Sequence, residues 1–530
     1  MARQIINLGT PPSGIDGDTE RTAWDKANEN FSDIYNNSGN IVNVSISSGL
    51  NQSISDFVSD AATVKTYGAF GDGTSHPLSS VYSTIELARA VYPHAMSLSD
   101  EIDWAAIQMS VIERSSTYIP AGSYRINRPI LIDSSDKSIT GAGDDVSSLV
   151  ATASIDAVIS TSSSSSRCSV SNLRIDAGTF ETKCISIDGI YNNFNSLELY
   201  SSNASGGSPI ALCFSSYNRF NNCRFRMLSP ACWGLWIDNR SDSGLVISNF
   251  LNSCIFSNSG KGVWIKKTHA SSPRTEGSLF NGTFFINTGE NQLLVDSHYG
   301  LQMVASSFEE CSGTAVDLNG IDRTQIIGCT AGVSATAVGA FCVRLRSGMG
   351  KGTVISGNQF RGGDIGILIE ASSTESVSGV DISSNVFDAH SLCSLSLDSV
   401  DGCSVSGNSE VGGALSRGSF NTHRTNAAGG KYSFRGNNWT SGAAFFDPQS
   451  KYISSEEFGG AKMANSGSEL YSTPTTTATI NHGLIATPSR VLITPEGNIG
   501  SFFVTNVSSS DFSIIWSNSV ACKWHWEAKI

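Results

Sequence analysis

The sequence predicts an all-β fold in which short parallel strands wind into a right-handed β-helix, and three observations lead to this prediction. Only 15% of the 530 residues are charged, and Gly, Ser and Asn are abundant, which suits short strands and tight turns better than long helices. A Phe-containing unit recurs along the chain, and a short run of alternating apolar residues follows each unit. Because units of this size cannot bury a face alone, they must stack on one another.

The spacing of the Phe residues sets the length of one coil. The repeated units carry Phe225, Phe256, Phe285, Phe308, Phe360 and Phe387. Successive positions differ by 31, 29, 23, 52 and 27 residues, and the interval of 52 holds a weaker unit, IIGCTAG. A β-propeller is the alternative, but its blades need about 40 residues and four strands each.

The rest of the chain divides around this repeat. Residues 1–60 are expected to hold one helix within Asp16–Asn36, with Thr19 as its N-cap, followed by a Ser-rich linker. The β-helix is expected to occupy residues 61–415, and a Gly- and Asn-rich connection residues 416–468. Strong alternation then predicts a small antiparallel β-sandwich at residues 469–530.

Charge and composition exclude several classes of function. The net charge of −13 argues against a nucleic-acid partner, and no apolar run approaches the roughly 20 residues of a membrane span. The first residues, MARQIINLGTPP, lack the apolar segment of a secretory signal, so we expect folding in a cytosol. In that compartment the twelve cysteines are expected to be small buried thiols, and no Cys pair has zinc-ligand spacing. We therefore predict no metal and no cofactor.

The alternation within each strand predicts which side chains face outward. In GVWIK, Val263 and Ile265 are expected inside, which places Trp264 and Lys266 outside. Stacking equivalent positions gives two outer columns. The first column contains Trp236, Trp264, Leu294, Asp317, Arg344, Leu368 and Ser396. The second column contains Asp238, Lys266, Asp296, Asn319, Arg346, Glu370 and Asp398.

The glycine-rich segment GAFGDG, residues 68–73, has another explanation than phosphate binding. A P-loop needs a Lys after its last Gly, and here Thr74, Ser75 and His76 follow. The dinucleotide pattern GxGxxG is not satisfied either. We expect the glycines to allow tight turns where the chain enters the first coils.

Two segments resemble a known family. VKTYGAFGDG (64–73) and YIPAGSYRI (118–126), together with coils of some 25 residues, resemble bacteriophage tailspikes with a pectate-lyase-like fold. In that family, "fGA.GDG" marks the start of the β-helix and "PaG.Y.i" the first full coils. The segments INLGTPP and RTAWDKANENFSDIY resemble the virion-anchoring regions of phage tail fibres. One departure is that about two dozen residues separate GDG from the helix-like stretch 100–110, where the family has Asp-Asp-Thr and a short helix.

The resemblance implies a homotrimeric spike that binds, and often cleaves, a bacterial capsule or O-antigen. It implies that residues 1–60 attach the protein to a phage tail or baseplate, and that trimers form through the β-helix and the C-terminal region. The protein would then act in the virion after assembly in the host cytoplasm. Catalytic carboxylates occupy different coils in different members, so the resemblance assigns no catalytic residue here.

The outer columns contain the first candidate site. Trp236 and Trp264 lie on adjacent rungs, where they are expected either to stack on a sugar or to meet a second subunit. Beside them, Asp238 and Asp296 would lie about 10 Å apart, two strand spacings along the column. This is near the 6.5–9.5 Å, approximately, of an inverting carboxylate pair. Lys266 lies between them, so a neutralising ladder of charges is the alternative.

Three glutamates form the second candidate site. Glu309 and Glu310 are adjacent, with Glu309 expected to face outward and Glu310 inward or into the bend. Two close carboxylates would raise one pKa, as a general acid requires. Glu290, in a turn between sheets, could join either group.

Other chemistries remain open at this point. A lyase would use a base such as Arg344 or Arg346, and Arg346 is also a candidate substrate-binding residue with Lys266. An O-deacetylase would need a Ser, His and Asp set, and no nucleophile motif accompanies the eight histidines. A receptor-binding fibre without enzymatic activity is the third alternative. The sugar, the linkage and the host are not defined by the sequence.

Overall fold

The computed structural model describes most of the chain from residue 63 onward. The described residues are Thr19, Thr22, Lys26, 43–45, 51–53, 63–203, 207–240, 245–269, 271, 273–286, 289–335, 337–346, 351–370, 377–398, 400–412, 420–423, 431–439, 444–446, 451–454, 464–482, 487–496 and 500–529. The helix predicted within residues 16–36 lies outside them, except that the N–H of Thr22 donates to Oγ1 of Thr19 at 3.3 Å, as an N-cap would.

Within the described residues from 63 onward, two α-helices precede the coils. Helix α1 is Ile85–Val91 and helix α2 is Ile102–Glu113, which confirms the helix expected near residues 100–110. The residues before GAFGDG form a 3₁₀ helix, Val64–Tyr67, and a second 3₁₀ helix spans Leu78–Ser80. Neither α1 nor α2 has the length and hydropathy that a transmembrane span requires.

Parallel strands coil around three faces, which we call sheets I, II and III in the order the chain visits them. Strands β9 and β11 are long enough to belong to both sheet I and sheet II. Sheet I contains β3 Ser116–Ile119, β6 Ser138–Gly141, β9 Ser169–Asp176, β11 Asn193–Ser201, β13 Arg219–Asn221, β16 Phe250–Asn252, β20 Leu279–Asn281, β23 Gln302–Val304, β26 Gln325–Ile327, β29 Thr353–Ser356, β32 Ser378–Ser383, β35 Asp401–Ser406, β38 Lys431–Arg435 and β40 Lys451–Ser454. A separate antiparallel pair is β1 Asn43–Ser45 with β2 Asn51–Ser53.

Sheets II and III complete each coil. Sheet II also contains β4 Gly122–Ile126, β7 Ser147–Ala151, β14 Arg224–Met227, β17 Ile255–Asn258, β21 Phe284–Ile286, β24 Ser307–Cys311, β27 Thr330–Val333, β30 Gln359–Arg361, β33 Val386–Asp388 and β36 Ser409–Gly412. Sheet III contains β5 Ile130–Ile132, β8 Ala157–Thr161, β10 Lys183–Ile187, β12 Pro209–Cys213, β15 Trp233–Asn239, β18 Lys261–Lys267, β19 Thr275–Glu276, β22 Leu293–Tyr299, β25 Val316–Asp322, β28 Phe341–Arg346, β31 Ile365–Glu370, β34 Cys393–Asp398, β37 Phe420–His423 and β39 Ala444–Phe446.

The repeated Phe residues form a stack inside sheet II. Phe225, Phe256, Phe285 and Phe308 are buried, and their consecutive ring centroids lie 4.3, 4.8 and 4.7 Å apart. In the weaker unit, Ala331 pairs with Phe308 and Phe360 and so occupies the position of a Phe. The predicted period is therefore the number of residues in one coil, and the β-helix prediction is confirmed.

The register of sheet III confirms the predicted outer columns. Trp236 pairs with Trp264, and Asp238 pairs with Lys266, on strands β15 and β18. Their neighbours Leu235 and Val263 are fully buried in the core, as the alternation predicted. The pairing continues without a shift through strands β22, β25, β28, β31 and β34.

The parallel coils extend past the boundary at residue 415 that the fading repeat predicted. Strands β37 and β39 continue sheet III, and β38 and β40 continue sheet I as far as Ser454. In part of this region, Asn408 donates to the side chain of Asn437 at 2.8 Å inside the stack. The same ladder also runs through Asn358 and Asn385, but at the next coil Glu410 takes the position that pairs with Phe387, so the Phe repeat ends before the coils do.

The C-terminal strands form an antiparallel sheet with its own core, as predicted. The strands are β41 Ala464–Asn481, β42 Arg490–Glu496, β43 Phe502–Thr505 and β44 Asp511–Lys529. Trp516 and Trp524 lie eight positions apart in β44, about 27 Å in a straight strand, yet their ring centroids are 5.1 Å apart. The long strand therefore bends back on itself, and the two halves of the sheet pack like the layers of a sandwich.

The GAFGDG segment makes the tight turns that its glycines predict. Gly68, Gly71 and Gly73 all have positive φ, and a Cβ at Gly71 would lie 2.6 Å from the ring of Tyr124. The buried carboxylate of Asp103 on α2 accepts hydrogen bonds from the N–H groups of Phe70 and Gly71. The segment thus anchors α2 at the start of the coils.

The cysteines are structural in every described case. The side chains of eleven of them are described, and all eleven are buried and outside any disulfide. Burial raises the pKa of Cys342 to about 12 and that of Cys213 to about 11, which disfavours the reactive thiolate. This confirms the prediction of buried thiols for the described part of the chain.

One buried histidine predicts a loss of stability in acid. His298 is fully buried, its Nδ1 donates to Oγ1 of Thr275, and its Nε2 accepts from the N–H of Ser278. Burial, with a smaller contribution from the charge of Arg274, lowers its pKa to about 3. The neutral ring therefore stabilises the fold fully above a pH of about 6.5, and this contribution is lost as the pH falls towards 3.

We expect His298 to contribute a slope of about 1.4 kcal/mol per pH unit between these limits. The free energy of unfolding of His298→Gln, compared with the wild type from pH 7 to pH 4, measures this slope. The carboxylates titrate equally in both proteins, so their effect on the comparison cancels. The difference in the free energy of unfolding should therefore shrink as the pH falls, because only the wild type loses the contribution of His298. Parallel curves would show that His298 is not the neutral group described.

Candidate functional site

The two tryptophans of the first candidate site hold a lysine between them. Nζ of Lys266 lies 3.4 Å from the ring centroid of Trp236 and 4.2 Å from that of Trp264. The two rings meet edge to face at 5.4 Å. Burial lowers the pKa of Lys266, and cation–π contact with two rings stabilises its charged form. One side of the expected sugar platform is therefore already occupied by the chain itself.

The expectation that Asp238 is exposed was wrong. Its side chain has no solvent exposure, because the chain that leaves β18 folds over it. Its oxygens accept hydrogen bonds from the N–H and the hydroxyl of Thr268, and Arg240 donates to it at 2.9 Å. Lys266 lies 3.9 Å away. An enclosed and fully bonded carboxylate has no room for a glycosidic oxygen, so its position is that of a structural anchor.

Asp296 and Arg346 are also engaged within the ladder. Asp296 accepts from Nε1 of Trp264 at 2.9 Å and from Nδ2 of Asn319 at 3.1 Å. Arg346 forms a two-point ion pair with Asp317, with both distances 2.8 Å. Between Trp236 and Arg346, the outer face of sheet III is therefore a closed network of charges, as the ladder alternative predicted.

The three glutamates of the second candidate site lie together beside the turns that lead from sheet II to sheet III. Glu309 and Glu310 lie in the second half of β24, and Glu310 has a φ of 52° at an irregularity of that strand. It is exposed in the bend rather than inward. A Cβ on Gly313 would lie 3.2 Å from Cα of Glu290, which places Glu290 one coil earlier at the same edge. Glu290 therefore lies next to the turn that follows Glu309 and Glu310.

A ridge along the same edge was not predicted. The turn between β27 and β28, residues 334–340, has seven residues, whereas the turn below it, residues 362–364, has three. Val338 is 94% exposed on the longer turn. Gly362 and Gly363 let the shorter turn pass close beneath, because a Cβ on Gly362 would lie 2.1 Å from the carbonyl oxygen of Val333. The difference in length leaves a notch under an overhang.

Depressions open on both sides of this ridge, and together we call them the edge groove. The first has a cavity volume of about 620 Å³ and is bounded by Glu310 and Arg361. The second has a volume of about 510 Å³ and contains Phe341, Leu368 and Leu392 as its apolar lining. The carboxylates of the second depression are Asp364, Glu370 and Asp398.

Two of these carboxylates lie on neighbouring strands, and the third holds the ridge in place. Asp364 accepts hydrogen bonds from the N–H of Gly339 at 2.7 Å and from the hydroxyl of Ser391 at 2.6 Å. These bonds connect the ridge to the next coil. Glu370 is 41% exposed and pairs with Arg344 at 2.7 Å. Asp398 follows Glu370 on the next strand, because their neighbours Ile369 and Leu397 pair directly. The two therefore lie about 4.8 Å apart along the column.

Both residues were already in the second predicted column, but nothing in the column distinguished them from Asp238 and Asp296. The feature that separates Glu370 and Asp398 from the other two carboxylates is the length of the adjoining turns. A groove forms beside them because a long turn lies above a short one. Among the described residues, no group of three or more His, Cys, Asp or Glu side chains could hold a metal ion.

Known proteins match this fold rather than any single activity. Residues 61–317 match the family model of rhamnogalacturonase A/epimerase, pectate lyase-like. The tailspike gp61 of Pseudomonas phage phi297 has 17% identity and a TM-score of 0.56, with 88% of this chain and 98% of that chain covered. Tailspike protein 3 of bacteriophage CBA120 has 13% identity and a TM-score of 0.52, with coverages of 82% and 69%. None of the curated proteins matches by sequence. The chain therefore folds as a parallel β-helix, and it shares this fold with these two phage tailspikes.

Proposed function

We propose that the chain is a bacteriophage tailspike that binds and depolymerises a bacterial capsule or O-antigen by hydrolysis at the edge groove. The observation that carries this proposal is the second depression, in which Glu370 and Asp398 stand side by side next to an apolar floor. An apolar floor with a few convergent polar groups is the usual form of a ligand site. Support for the setting comes from the fold shared with two phage tailspikes.

The proposed roles follow from the surroundings of each carboxylate. Arg344 forms an ion pair with Glu370 at 2.7 Å and so orients its carboxylate, which suits attack on the anomeric carbon. Asp398 then donates a proton to the glycosidic oxygen as the bond from that oxygen to the anomeric carbon breaks. A water molecule next attacks the anomeric carbon, gives its proton to Asp398 and releases Glu370. A separation near 5 Å corresponds to the retaining mechanism, which differs from the inverting pair expected for Asp238 and Asp296.

The remaining predicted residues take supporting positions in this proposal. Glu310, with Glu290 and Glu309 beside it, would contact the polymer in the first depression, where Arg361 could bind an acidic or hydroxyl group. Trp236, Trp264 and Lys266 would stabilise the face above the groove. We further propose a homotrimer attached to a phage tail through residues 1–60 and assembled in the host cytoplasm, with trimer or carbohydrate contacts from the C-terminal sheet.

The lyase alternative has less support from the geometry. Both candidate bases already form ion pairs, Arg344 with Glu370 and Arg346 with Asp317. An arginine held by a carboxylate is a poor acceptor for a proton. The receptor-only alternative differs from hydrolysis only in the absence of products.

The products of a digest test the proposal. We expect the protein to release new reducing ends from the capsule or O-antigen of a susceptible strain, without the absorbance of an unsaturated uronate. Absorbance that rises with chain shortening would establish a lyase instead. Binding to a strain's polysaccharide with no shortening of the polymer would leave a receptor-binding fibre.

A further inference from the structure

A separate depression lies where sheet III turns into sheet I. It has a cavity volume of about 280 Å³, and its lining includes Tyr191, Tyr217, Arg219 and Phe250. The rings of Tyr191 and Tyr217 belong to consecutive coils and stack with centroids 4.6 Å apart and planes 7° from parallel. Tyr191 is 51% exposed, so this stack presents an aromatic surface to solvent.

Two arginines follow Tyr217 on the same coil, and of these Arg219 lines the depression while Arg224 lies on β14 in sheet II. Arg219 and Arg224 are both exposed, and within the described part of the chain neither forms an ion pair with a carboxylate. The guanidinium carbon of Arg219 lies 5.7 Å from the ring centroid of Phe250. An unpaired guanidinium beside aromatic rings can bind a carboxylate or phosphate through two parallel hydrogen bonds.

The basic surface continues across sheet II, because β9 and β11 run through both sheets. The ring of Tyr200 lies between two guanidinium groups, 4.4 Å from that of Arg174 and 5.7 Å from that of Arg226. These two arginines also pair with Asp176 and Glu198. We call this whole surface, from Tyr191 to Arg226, the basic tyrosine strip.

The charge of the strip opposes that of the whole chain. Arg174, Arg219, Arg224 and Arg226 contribute four positive charges, and Asp176 and Glu198 two negative ones, which leaves +2. The chain as a whole carries −13. A positive surface on a negative protein attracts anions locally, whereas the overall charge repels a long nucleic acid.

We propose that the basic tyrosine strip binds acidic sugars of the polysaccharide, which makes the ligand an anionic glycan. The arginines would pair with carboxylate or phosphate groups, and the tyrosine faces would cover sugar rings. This inference rests on the proposed function for the identity of the polymer. Strands β14 and β30 are five coils apart, about 24 Å, so one long chain could contact both the strip and the edge groove.

Equilibrium binding of a protein with the silenced groove tests the inference. The Glu370→Gln protein would be titrated with capsular polysaccharides and lipopolysaccharides from a strain panel. Each would be used native, carboxyl-reduced and dephosphorylated. We expect binding only to acidic polymers and at least a tenfold loss after removal of the acidic group. Loss on carboxyl reduction identifies a uronate, and loss on dephosphorylation identifies a phosphate.

A matched pair of arginine variants locates the binding. Added to the silenced protein, Arg219→Gln should weaken binding about tenfold and flatten its dependence on salt concentration. Arg435→Gln removes the same charge from an exposed position on β38 and should leave the affinity unchanged. Three results would overturn the inference. The two changes could have equal effects, the protein could bind no polymer at all, or it could bind a neutral or a carboxyl-reduced and dephosphorylated polymer equally well.

Two further outcomes separate this inference from others. If Arg219→Gln changes the oligomeric state in sedimentation, the strip is a contact between copies of the chain and the inference fails. Cleavage of a polymer that the strip does not distinguish by charge would overturn the inference and leave the proposed function intact. If the strip binds acidic polymers but the wild-type protein cleaves none of them, the inference holds and the proposed hydrolytic function is overturned.

Discussion

Replacement of Glu370 by Gln is expected to lower the turnover of the polysaccharide by about 10²–10⁴-fold, the usual contribution of a carboxylate that acts on the reacting atoms. Gln keeps the shape of the side chain but cannot form a glycosyl ester. Asp398→Asn should lower turnover by a similar factor, because the leaving oxygen would receive no proton. Initial rates of reducing-end release measure both effects.

The stereochemistry of the product gives an independent check of the same pair. With carboxylates about one strand spacing apart, NMR spectra taken early in the digest should show the retained anomer. Asp381→Asn is a matched control, since this carboxylate lies on sheet I and bonds only Ser383 in the described contacts. Full activity in Glu370→Gln and Asp398→Asn, or an inverted product, would exclude the pair.

Replacement of Asp238 by Ala is expected to lower the free energy of unfolding by about 3–5 kcal/mol, because it leaves buried charge without a partner. The change removes the acceptor for Arg240, Lys266 and the hydroxyl of Thr268 at once. Asp381→Ala removes a half-exposed carboxylate and should cost less than about 1 kcal/mol. Urea unfolding of the three proteins at neutral pH measures the difference.

The milder change separates a structural from a catalytic role for Asp238. Asn keeps most of the hydrogen bonds, so Asp238→Asn should fold and retain its hydrolytic activity. A folded Asp238→Asn protein that is inactive on a cleaved polymer would return Asp238 to the catalytic site. That result would also require the cover formed after β18 to open during turnover.

The sequence predicted the ladder of strands much better than the surface chemistry. The period of the Phe residues and the alternation in sheet III defined the inside, the outside and the register, because both are set by burial over many coils. Trp236 above Trp264 and Asp238 above Lys266 follow directly from that register. The C-terminal antiparallel sheet was predicted from the same alternation.

What the pattern did not contain is the path of the chain between strands. Asp238 faces outward in the alternation, yet the residues after β18 cover it, and alternation carries no information about such covers. The groove beside Glu370 exists because the turns 334–340 and 362–364 differ in length. Neither turn has a strong sequence signal, apart from the Gly362–Gly363 pair.

The turns between sheets II and III vary from two residues, at 259–260, to seven, at 334–340, while the sheet III strands β18 to β34 keep one register. Under the proposed function, recognition and architecture are encoded in different parts of the chain. A lineage under pressure to follow a changing host coat could exchange these connections one at a time, without having to reinvent the scaffold that displays them.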